Sequence, residues 1–204
     1  MRVNRIRTVS RSMQPSAAGS FVMERRIEMI RPMLICGMLT GLFLYAAARA
    51  GESTKSIPPV PALDLNRYLG TWYEIYRLPH KFEKDLIKVT ATYSLRKDGK
   101  IQVLNRGYKP SKGRWSDAKG KAWIPDPQVP ARLKVSFFWP FSAEYKIIRL
   151  DSDYRWALVT SGSTDYLWLL SRTPVMEEAL VDSLTRFAAH NGFDTGRLIR
   201  VEQE

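Results

Sequence analysis

Hydrophobic and polar residues alternate along most of the chain after residue 70, which is typical of β-strands that bury one face. The clearest case begins at Gly70 and continues through aromatic and β-branched residues to Tyr76. Between such stretches stand turn-forming residues, and Asp98-Gly99 is a hairpin signal because this kind of turn needs a positive φ. The predicted strands are Thr71–Leu78, Val89–Arg96, Ile101–Tyr108, Ala118–Ile124, Arg132–Phe138, Glu144–Leu150, Trp156–Ser161 and Tyr166–Arg172. Short strands at this even spacing predict an all-β, up-and-down antiparallel barrel.

The period changes to that of a helix after the last predicted strand. The apolar positions at helical spacing are Met176, Leu180, Leu184, Phe187 and Ala188. Thr173 can cap the start with Pro174 in the first turn, and Gly192 ends the pattern. One C-terminal helix packed on the barrel wall, followed by a short strand at Leu198–Val201, completes the predicted domain.

The N-terminal quarter of the chain reads as a leader rather than as part of the barrel. Residues 1–22 are interpreted as an upstream extension, and residues 23–50 as a secretory signal peptide cut after Ala48-Arg49-Ala50. An uncleaved membrane anchor is the alternative, for which the apolar run is short. Residues 51–62 carry three prolines and are predicted to be an extended linker, so the domain is expected to span residues 63–204.

Half of the net charge of +12 lies in the leader. Residues 1–50 hold 8 basic and 2 acidic side chains, so residues 51–204 carry 24 basic and 18 acidic ones, or +6. These charges are scattered, without an Arg-rich helix or an RNA-binding aromatic motif, which argues against nucleic acid as a partner. A mildly basic surface is compatible with anionic lipid head groups or a membrane surface.

Catalytic motifs are thinly represented, and no cofactor or metal is predicted. His80 is predicted in a loop and His190 at a helix end, and neither has metal-ligand spacing with another His or Cys. There is no Gly-x-Ser-x-Gly elbow. Glu74 has two readings, a polar contact for a ligand or a satisfied buried carboxylate.

Four segments in order resemble the lipocalin family, in particular its bacterial outer-membrane members. The first, Gly70-Thr71-Trp72-Tyr73, matches the Gly-x-Trp-Tyr signature of that family. The segments are 67–75, 88–95, 134–138 and 165–174, and the resemblance extends from about Leu63 to Val201. It implies an eight-stranded barrel that is closed at one end and open at the other, a calyx.

The resemblance assigns a structural role to Gly70, Trp72 and Arg172. It implies that the Arg172 guanidinium packs over the Trp72 indole at the closed end, without touching ligand. The second family signature, Thr-Asp-Tyr, is only partly kept at 150–154, and the literal match at 164–166 lies one hairpin later, so it is treated as coincidental.

Strand parity then predicts which side chains line the calyx. The candidates are of three kinds. Some share a strand face with Trp72 or Arg172, some are the alternate apolar residues of the fifth strand, and some are aromatic residues of the mouth loops. The predicted ligand-binding residues are Glu74, Tyr76, Leu78, Phe82, Val135, Phe137, Trp139, Tyr166 and Trp168. Phe141 is also expected on a mouth loop, with His80, Lys81, Lys84 and Lys88 supplying basic charge or merely a solvated cluster. A solid apolar core is the alternative for the lining residues.

By resemblance, the expected function is to carry or store a fatty acid or lysophospholipid for envelope maintenance. An enzyme acting on a lipophile is the alternative, and a tetrapyrrole ligand is disfavoured because no histidine is well placed as an axial ligand. Exposed mouth aromatics would meet a ligand, a membrane or a second subunit, so a homodimer is a further expectation. Members of this family are often acylated on a cysteine that ends the apolar stretch. Cys36 instead stands near the start of its apolar stretch and follows the bulky Ile35, so the segment is a poor lipobox. A periplasmic protein, associated with the outer membrane, is therefore expected, with lipid anchoring in doubt.

Overall fold

The computed structural model describes residue 54 and residues 56–204. The predicted extension, the predicted signal peptide and Cys36 lie outside the described residues. Neither helix among the described residues is long and apolar enough to cross a membrane.

The strands form one sheet that closes on itself, as the alternating pattern predicts. They are β1 Gly70–Arg77, β2 Ile87–Leu95, β3 Ile101–Lys109, β4 Arg114–Trp123, β5 Arg132–Phe138, β6 Phe141–Leu150, β7 Trp156–Thr160, β8 Leu167–Ser171 and β9 Ile199–Arg200. The order β2-β3-β4-β5-β6-β7-β8-β1-β9 is completed by a β1–β2 pairing, and every pairing is antiparallel. The predicted fold class, an eight-stranded up-and-down barrel, is confirmed.

Two helices flank the barrel. The first, α1 (Leu65–Tyr68), is capped by Asp64, whose carboxylate accepts hydrogen bonds from the backbone N–H groups of Asn66 and Arg67. The second, α2 (Glu178–His190), begins later than predicted, with Glu177 extended at its N-cap. The Thr173 hydroxyl donates to the Val175 carbonyl instead of capping the helix.

Two apolar clusters lie on opposite sides of the barrel wall. The helix-side cluster packs α2 against the outer face of the wall, which confirms the predicted position of the helix. Its buried members are Ile57, Ile75, Leu78, Ile148, Leu158, Leu167, Leu169, Met176, Val181, Leu184, Ala188 and Phe193. The interior cluster fills the lower part of the barrel; its buried members are Tyr68, Trp72, Tyr93, Ile101, Val103, Ala122, Ala131, Leu133, Ile147, Ala157, Val159 and Leu170.

The C-terminal tail completes the wall where β1 and β2 diverge. These strands pair only from Gly70 to Tyr73, and β9 continues along β1 at Tyr76 and Arg77. Across the gap, the Lys88 N–H donates to the Glu202 carbonyl, and the Gln203 side-chain amide donates to the carbonyls of Glu74 and Val89. Backbone groups that the β1–β2 ladder leaves open are therefore satisfied by the tail.

Part of the predicted linker contacts the barrel. Ile57 is buried in the helix-side cluster, and the Val60 N–H donates to the Ile147 carbonyl at 2.9 Å. The buried Lys146 ammonium donates to the carbonyls of Thr54 at 2.7 Å and Ile57 at 3.1 Å. This stretch includes a turn closed by the Ile57 N–H and the Thr54 carbonyl, and it is attached to the wall.

Candidate functional site

The closed end of the barrel is built around Trp72. Its indole is fully buried, and its N–H donates to the Tyr68 carbonyl at 2.9 Å. The guanidinium carbon of Arg172 lies 3.8 Å from the centre of the indole ring, a cation–π contact. Gly70, at φ +96°, gives this guanidinium room, because a Cβ there would lie 3.2 Å from Nη1 of Arg172.

Three tyrosines lie above Trp72 and form the floor of the barrel. The rings of Tyr68 and Trp72 are 4.9 Å apart, and the rings of Tyr68 and Tyr93 are 5.7 Å apart. The hydroxyl oxygens of Tyr68 and Tyr145 are 2.7 Å apart, and the Tyr93 hydroxyl donates to that of Tyr145 at 3.0 Å. Burial raises the pKa of each phenol, so all three hydroxyl groups stay protonated.

Interior side chains become more exposed with distance from this floor. On β5, Leu133 is buried whereas Val135 and Phe137 are partly exposed; on β8, Leu170 is buried whereas Trp168 is partly exposed. On both strands the exposure of the side chains increases toward the loops 79–86 and 139–140. The interior is therefore closed at the floor and open at the opposite end.

Small residues on β4 leave space in the upper interior. Ala118 and Gly120 pair with the β3 residues Asn105 and Val103, so they face the interior as Val103 does. A Cβ at Gly120 would lie 2.8 Å from the ring of Phe137, so glycine lets that ring approach the strand closely.

A charged cluster lies between the interior and the mouth loop. The Arg77 guanidinium donates to the Glu74 carboxylate at 2.7 Å and to the carbonyls of Glu83 and Leu86. Burial, together with the nearby Glu83 carboxylate, raises the pKa of Glu74 well above its ordinary value despite the Arg77 contact. Burial alone would raise the pKa of Glu83 as well, but contacts with His80, Trp168 and Arg77 lower it. Glu74 is thus a buried carboxyl group whose partner is Arg77.

His80 lies within a set of aromatic rings at the mouth. Its ring centre is 5.4 Å from that of Trp168, 5.8 Å from that of Tyr166 and 6.1 Å from that of Phe82. Its Nε2 is 2.9 Å from a Glu83 carboxylate oxygen, an ion pair when the imidazole is protonated, and only 6% of the side chain is exposed. His80 is therefore not part of a solvated cluster, because the loop folds its ring inward.

The rim of the open end is aromatic and basic. Exposed aromatic side chains are Trp139 (77%), Phe138 (72%) and Phe82 (65%), and Lys81 and Lys84 are exposed beside them. The Lys121 ammonium lies 4.9 Å from the centre of the Trp139 ring. Phe82 and Trp139 are at the mouth as predicted, whereas Phe141 is not on a loop but begins β6 and is partly buried.

Two predicted lining residues, Tyr76 and Leu78, face away from the interior. Both pack in the helix-side cluster, because a β-bulge between Glu74 and Tyr76 inserts one residue into β1. Beyond the bulge Tyr76 pairs with Leu169 and Arg77 pairs with Trp168, so Arg77 takes the inward position. Strict alternation from Trp72 therefore assigns the wrong face to the residues beyond the bulge.

The other predicted lining residues lie around the upper interior. Glu74 is inside the wall, Val135, Phe137 and Trp168 pack on the interior cluster, and Tyr166 stacks on Trp168 with ring centres 6.0 Å apart. Sequence reasoning missed Arg77, Glu83 and the three floor tyrosines. The tyrosine spacing carries no local signal, since their contacts join α1, β2 and β6.

The two histidines lie on different elements of the barrel domain. His190 is exposed at the end of α2, whereas His80 is at the mouth. No group of three or more His, Cys, Asp or Glu side chains among residue 54 and residues 56–204 is placed to hold a metal ion.

Comparisons with known proteins agree with this architecture. The family model described as "Lipocalin-like domain" matches residues 63–203. The chain is 44% identical over 174 residues to "Outer membrane lipoprotein Blc" of Escherichia coli, covering 85% of this chain and 98% of the relative. It is 48% identical over 151 residues to the protein of the same name from Vibrio cholerae, covering 74% of this chain and 88% of the relative. The solved structure of insecticyanin from Manduca sexta aligns with a TM-score of 0.59 at 21% identity, covering 72% of this chain and 84% of that one, a likeness of fold.

Proposed function

The chain belongs to the lipocalin family, and on that premise we propose that it binds the acyl chain of a fatty acid or lysophospholipid inside its barrel and carries or stores it in the cell envelope. One observation carries the proposal. Interior side chains on β5 and β8 pass from buried at the floor to partly exposed toward the mouth. A barrel of this size has room for one small ligand, and an apolar interior open at one end fits an elongated apolar molecule.

The binding energy would come mainly from burial of the chain. Each methylene group removed from water contributes about 0.8 kcal/mol, so a long acyl chain binds well with few polar contacts. Lining side chains Val135, Phe137 and Trp168 supply apolar surface above the floor. Exposed Lys81 and Lys84 at the rim favour an anionic head group that remains at the mouth.

Trp168 gives a direct test of ligand position. It is partly exposed within the interior cluster and donates to Glu83 at 3.3 Å, so an entering chain would change its environment. We expect oleic acid or lysophosphatidylcholine to change the intrinsic fluorescence, and most of that change to vanish in Trp168→Phe. The matched control is Trp115→Phe, which removes an indole on the outer surface and should keep the response.

The sharper variant is Trp168→Arg. A cation within the barrel would be poorly solvated and would occupy the space that the chain needs, so binding should be lost. If Trp168→Arg folds and binds lysophosphatidylcholine as the parent does, the ligand does not lie in this barrel. Recovery of the added lipid in chemically altered form would instead favour the alternative, an enzyme acting on a lipophile.

A membrane surface is the proposed second partner. Exposed Phe82, Phe138 and Trp139 stand beside lysines on the rim, so apolar insertion and attraction to anionic head groups would act at the same end. In this arrangement the mouth would face the lipid source. The relatives' name, outer membrane lipoprotein, supports a location in the envelope, and we propose export to the periplasm.

The same exposed aromatics could be covered by a second copy of the chain, the proposed homodimer. Sedimentation of the parent with and without vesicles separates the two, because a dimer forms in the absence of lipid.

N-terminal sequencing of the protein from its own host tests the leader. A start at Gly51 supports cleavage without acylation, and a lipid-modified Cys36 contradicts it.

A further inference from the structure

Three tyrosine hydroxyl groups meet at the floor of the barrel, where binding of a purely apolar chain would not require polar groups. Tyr68 comes from α1, Tyr93 from β2 and Tyr145 from β6. The Tyr145 hydroxyl oxygen lies 2.7 Å from that of Tyr68, and it accepts a hydrogen bond from the Tyr93 hydroxyl at 3.0 Å. A phenylalanine at each position would fill the same space without burying a polar group.

One hydroxyl proton of this tyrosine triad (Tyr68, Tyr93 and Tyr145) is not used in a hydrogen bond. Tyr93 donates to Tyr145, and one proton joins Tyr145 and Tyr68, so two bonds use two of the three protons. Within residue 54 and residues 56–204, these hydroxyl groups make no other hydrogen bond. The remaining proton belongs to Tyr145 or Tyr68, depending on the direction of their shared bond. A buried donor without an acceptor is costly, so the floor favours an acceptor from outside the protein.

The triad faces the space in which a ligand would lie. Tyr145 pairs with Leu133 of the interior cluster across the β5–β6 ladder, so it points inward. It is only partly buried, whereas Tyr68 and Tyr93 beneath it are buried. Tyr145 is therefore the member of the triad that a molecule descending from the mouth would meet.

Burial around the floor favours an uncharged acceptor. Tyr68 and Tyr93 are buried, and burial raises the pKa of all three phenols because a charge is poorly solvated at this depth. The same burial would oppose an anionic acceptor here. A carboxylate is thus better placed at the basic rim, and a hydroxyl or carbonyl oxygen is better placed at the floor.

We propose that the Tyr68, Tyr93 and Tyr145 hydroxyl groups form a polar subsite for an uncharged oxygen at the far end of the ligand. This rests on the proposed function, because it presumes that an acyl chain enters tail first from the mouth. The ligand class it specifies is an acyl chain with a terminal hydroxyl or carbonyl group. An unsubstituted chain would leave the donor without a partner.

The test compares ω-hydroxy fatty acids with their unsubstituted parents, from lauric to stearic acid, by titration calorimetry. In an apolar barrel the hydroxyl group weakens binding at every length. With the subsite, we expect at least one length at which the ω-hydroxy acid binds at least as tightly as its parent. In Tyr145→Phe its affinity relative to the parent acid should fall by about threefold to tenfold, the effect of one hydrogen bond.

Two further variants keep the test decisive. In Tyr68→Phe the Tyr145 proton no longer has Tyr68 as an acceptor and stays available to the ligand, so the preference should persist. Loss of the preference in this variant would overturn the assignment to Tyr145, so it serves if Tyr145→Phe does not fold. Tyr76→Phe is the matched control, because that ring packs on the helix side of the wall, and it should leave the preference unchanged.

The outcomes separate this subsite from the calyx itself. If parent and hydroxy acids bind, but the hydroxyl group weakens binding equally in the protein and in Tyr145→Phe, the subsite is overturned and the proposed function stands. If neither series binds, the proposed function fails, and the subsite fails with it.

Discussion

Arg172 and Trp72, which come from opposite ends of the barrel sequence, are joined at the closed end by a guanidinium 3.8 Å from the indole centre. The same guanidinium donates to the carbonyls of Arg67, Leu69 and Thr71, at 2.7, 2.9 and 2.9 Å. Since these carbonyls belong to α1 and the start of β1, Arg172 holds that segment against the end of β8. The pair closes the barrel by hydrogen bonds as well as by the cation–π contact.

Replacing Arg172 with Ala should lower the free energy of unfolding by about 2–4 kcal/mol, because several carbonyls lose a charged donor at once. Arg172→Lys should cause a smaller loss, since an ammonium cannot reach as many carbonyls as the planar fork. Urea denaturation measures both. Lipid affinity of the folded fraction should change little, and a collapse of affinity at unchanged stability would make Arg172 a ligand residue.

Gly70→Ala should destabilise the protein by about 1–3 kcal/mol, because alanine is strained at φ +96° and its Cβ would lie 3.2 Å from the Arg172 guanidinium. Gly99→Ala is the matched control. It has φ +75° but no atom within 4 Å of the new Cβ, so it reports the backbone strain alone. Thermal unfolding should show a larger loss at Gly70, and equal losses would remove the argument from the Arg172 contact.

Glu74→Gln should change how stability depends on pH. The pKa of Glu74 is raised in the folded state by burial and by Glu83. Its contribution to stability is therefore present at acidic pH, below its unfolded value, and is lost as the pH rises through the folded value. Glutamine has no charge to bury, so the variant should gain stability relative to the parent as the pH rises above about 5, where an unfolded glutamate is already ionised. Melting temperatures across this range test it, with the exposed Glu204→Gln as control. A relative gain on acidification would reverse the assignment.

Gln203→Ala should lower the free energy of unfolding by about 1–3 kcal/mol, because its amide is the partner of two backbone carbonyls in the gap between β1 and β2. Glu202→Ala keeps the backbone carbonyl that accepts from Lys88 and removes only an exposed side chain. It should be nearly neutral. Hydrogen exchange at Lys88 should accelerate in Gln203→Ala alone, and equal exchange in both variants would show that the tail does not hold the seam.

Trp139→Ser should weaken binding to anionic phospholipid vesicles by about tenfold, since an inserted aromatic side chain contributes about 1.5–3 kcal/mol. The matched control is Leu95→Ser, because Leu95 is 58% exposed but lies beside the hairpin at the closed end. Vesicle co-sedimentation compares the two. A loss of binding in Leu95→Ser, with Trp139→Ser unaffected, would place the closed end and not the mouth against the membrane.

The sequence by itself determined the elements, the barrel and its closed end. Alternation predicted the eight barrel strands, helical spacing predicted the wall-packed helix, and the resemblance implied the contact of Arg172 with Trp72. Such features depend on local periodicity and on motif residues, and the strand that contains a motif residue fixes its position in the barrel.

Only the tertiary structure decided which residues meet inside the barrel. The bulge in β1 turned Tyr76 and Leu78 outward and Arg77 inward, and loop folding brought His80 and Glu83 to Trp168. The tyrosine floor joins residues up to 77 positions apart. A one-residue change of register and a contact between distant segments leave no periodic trace in the sequence, because they are set by hydrogen bonding and packing across the closed sheet.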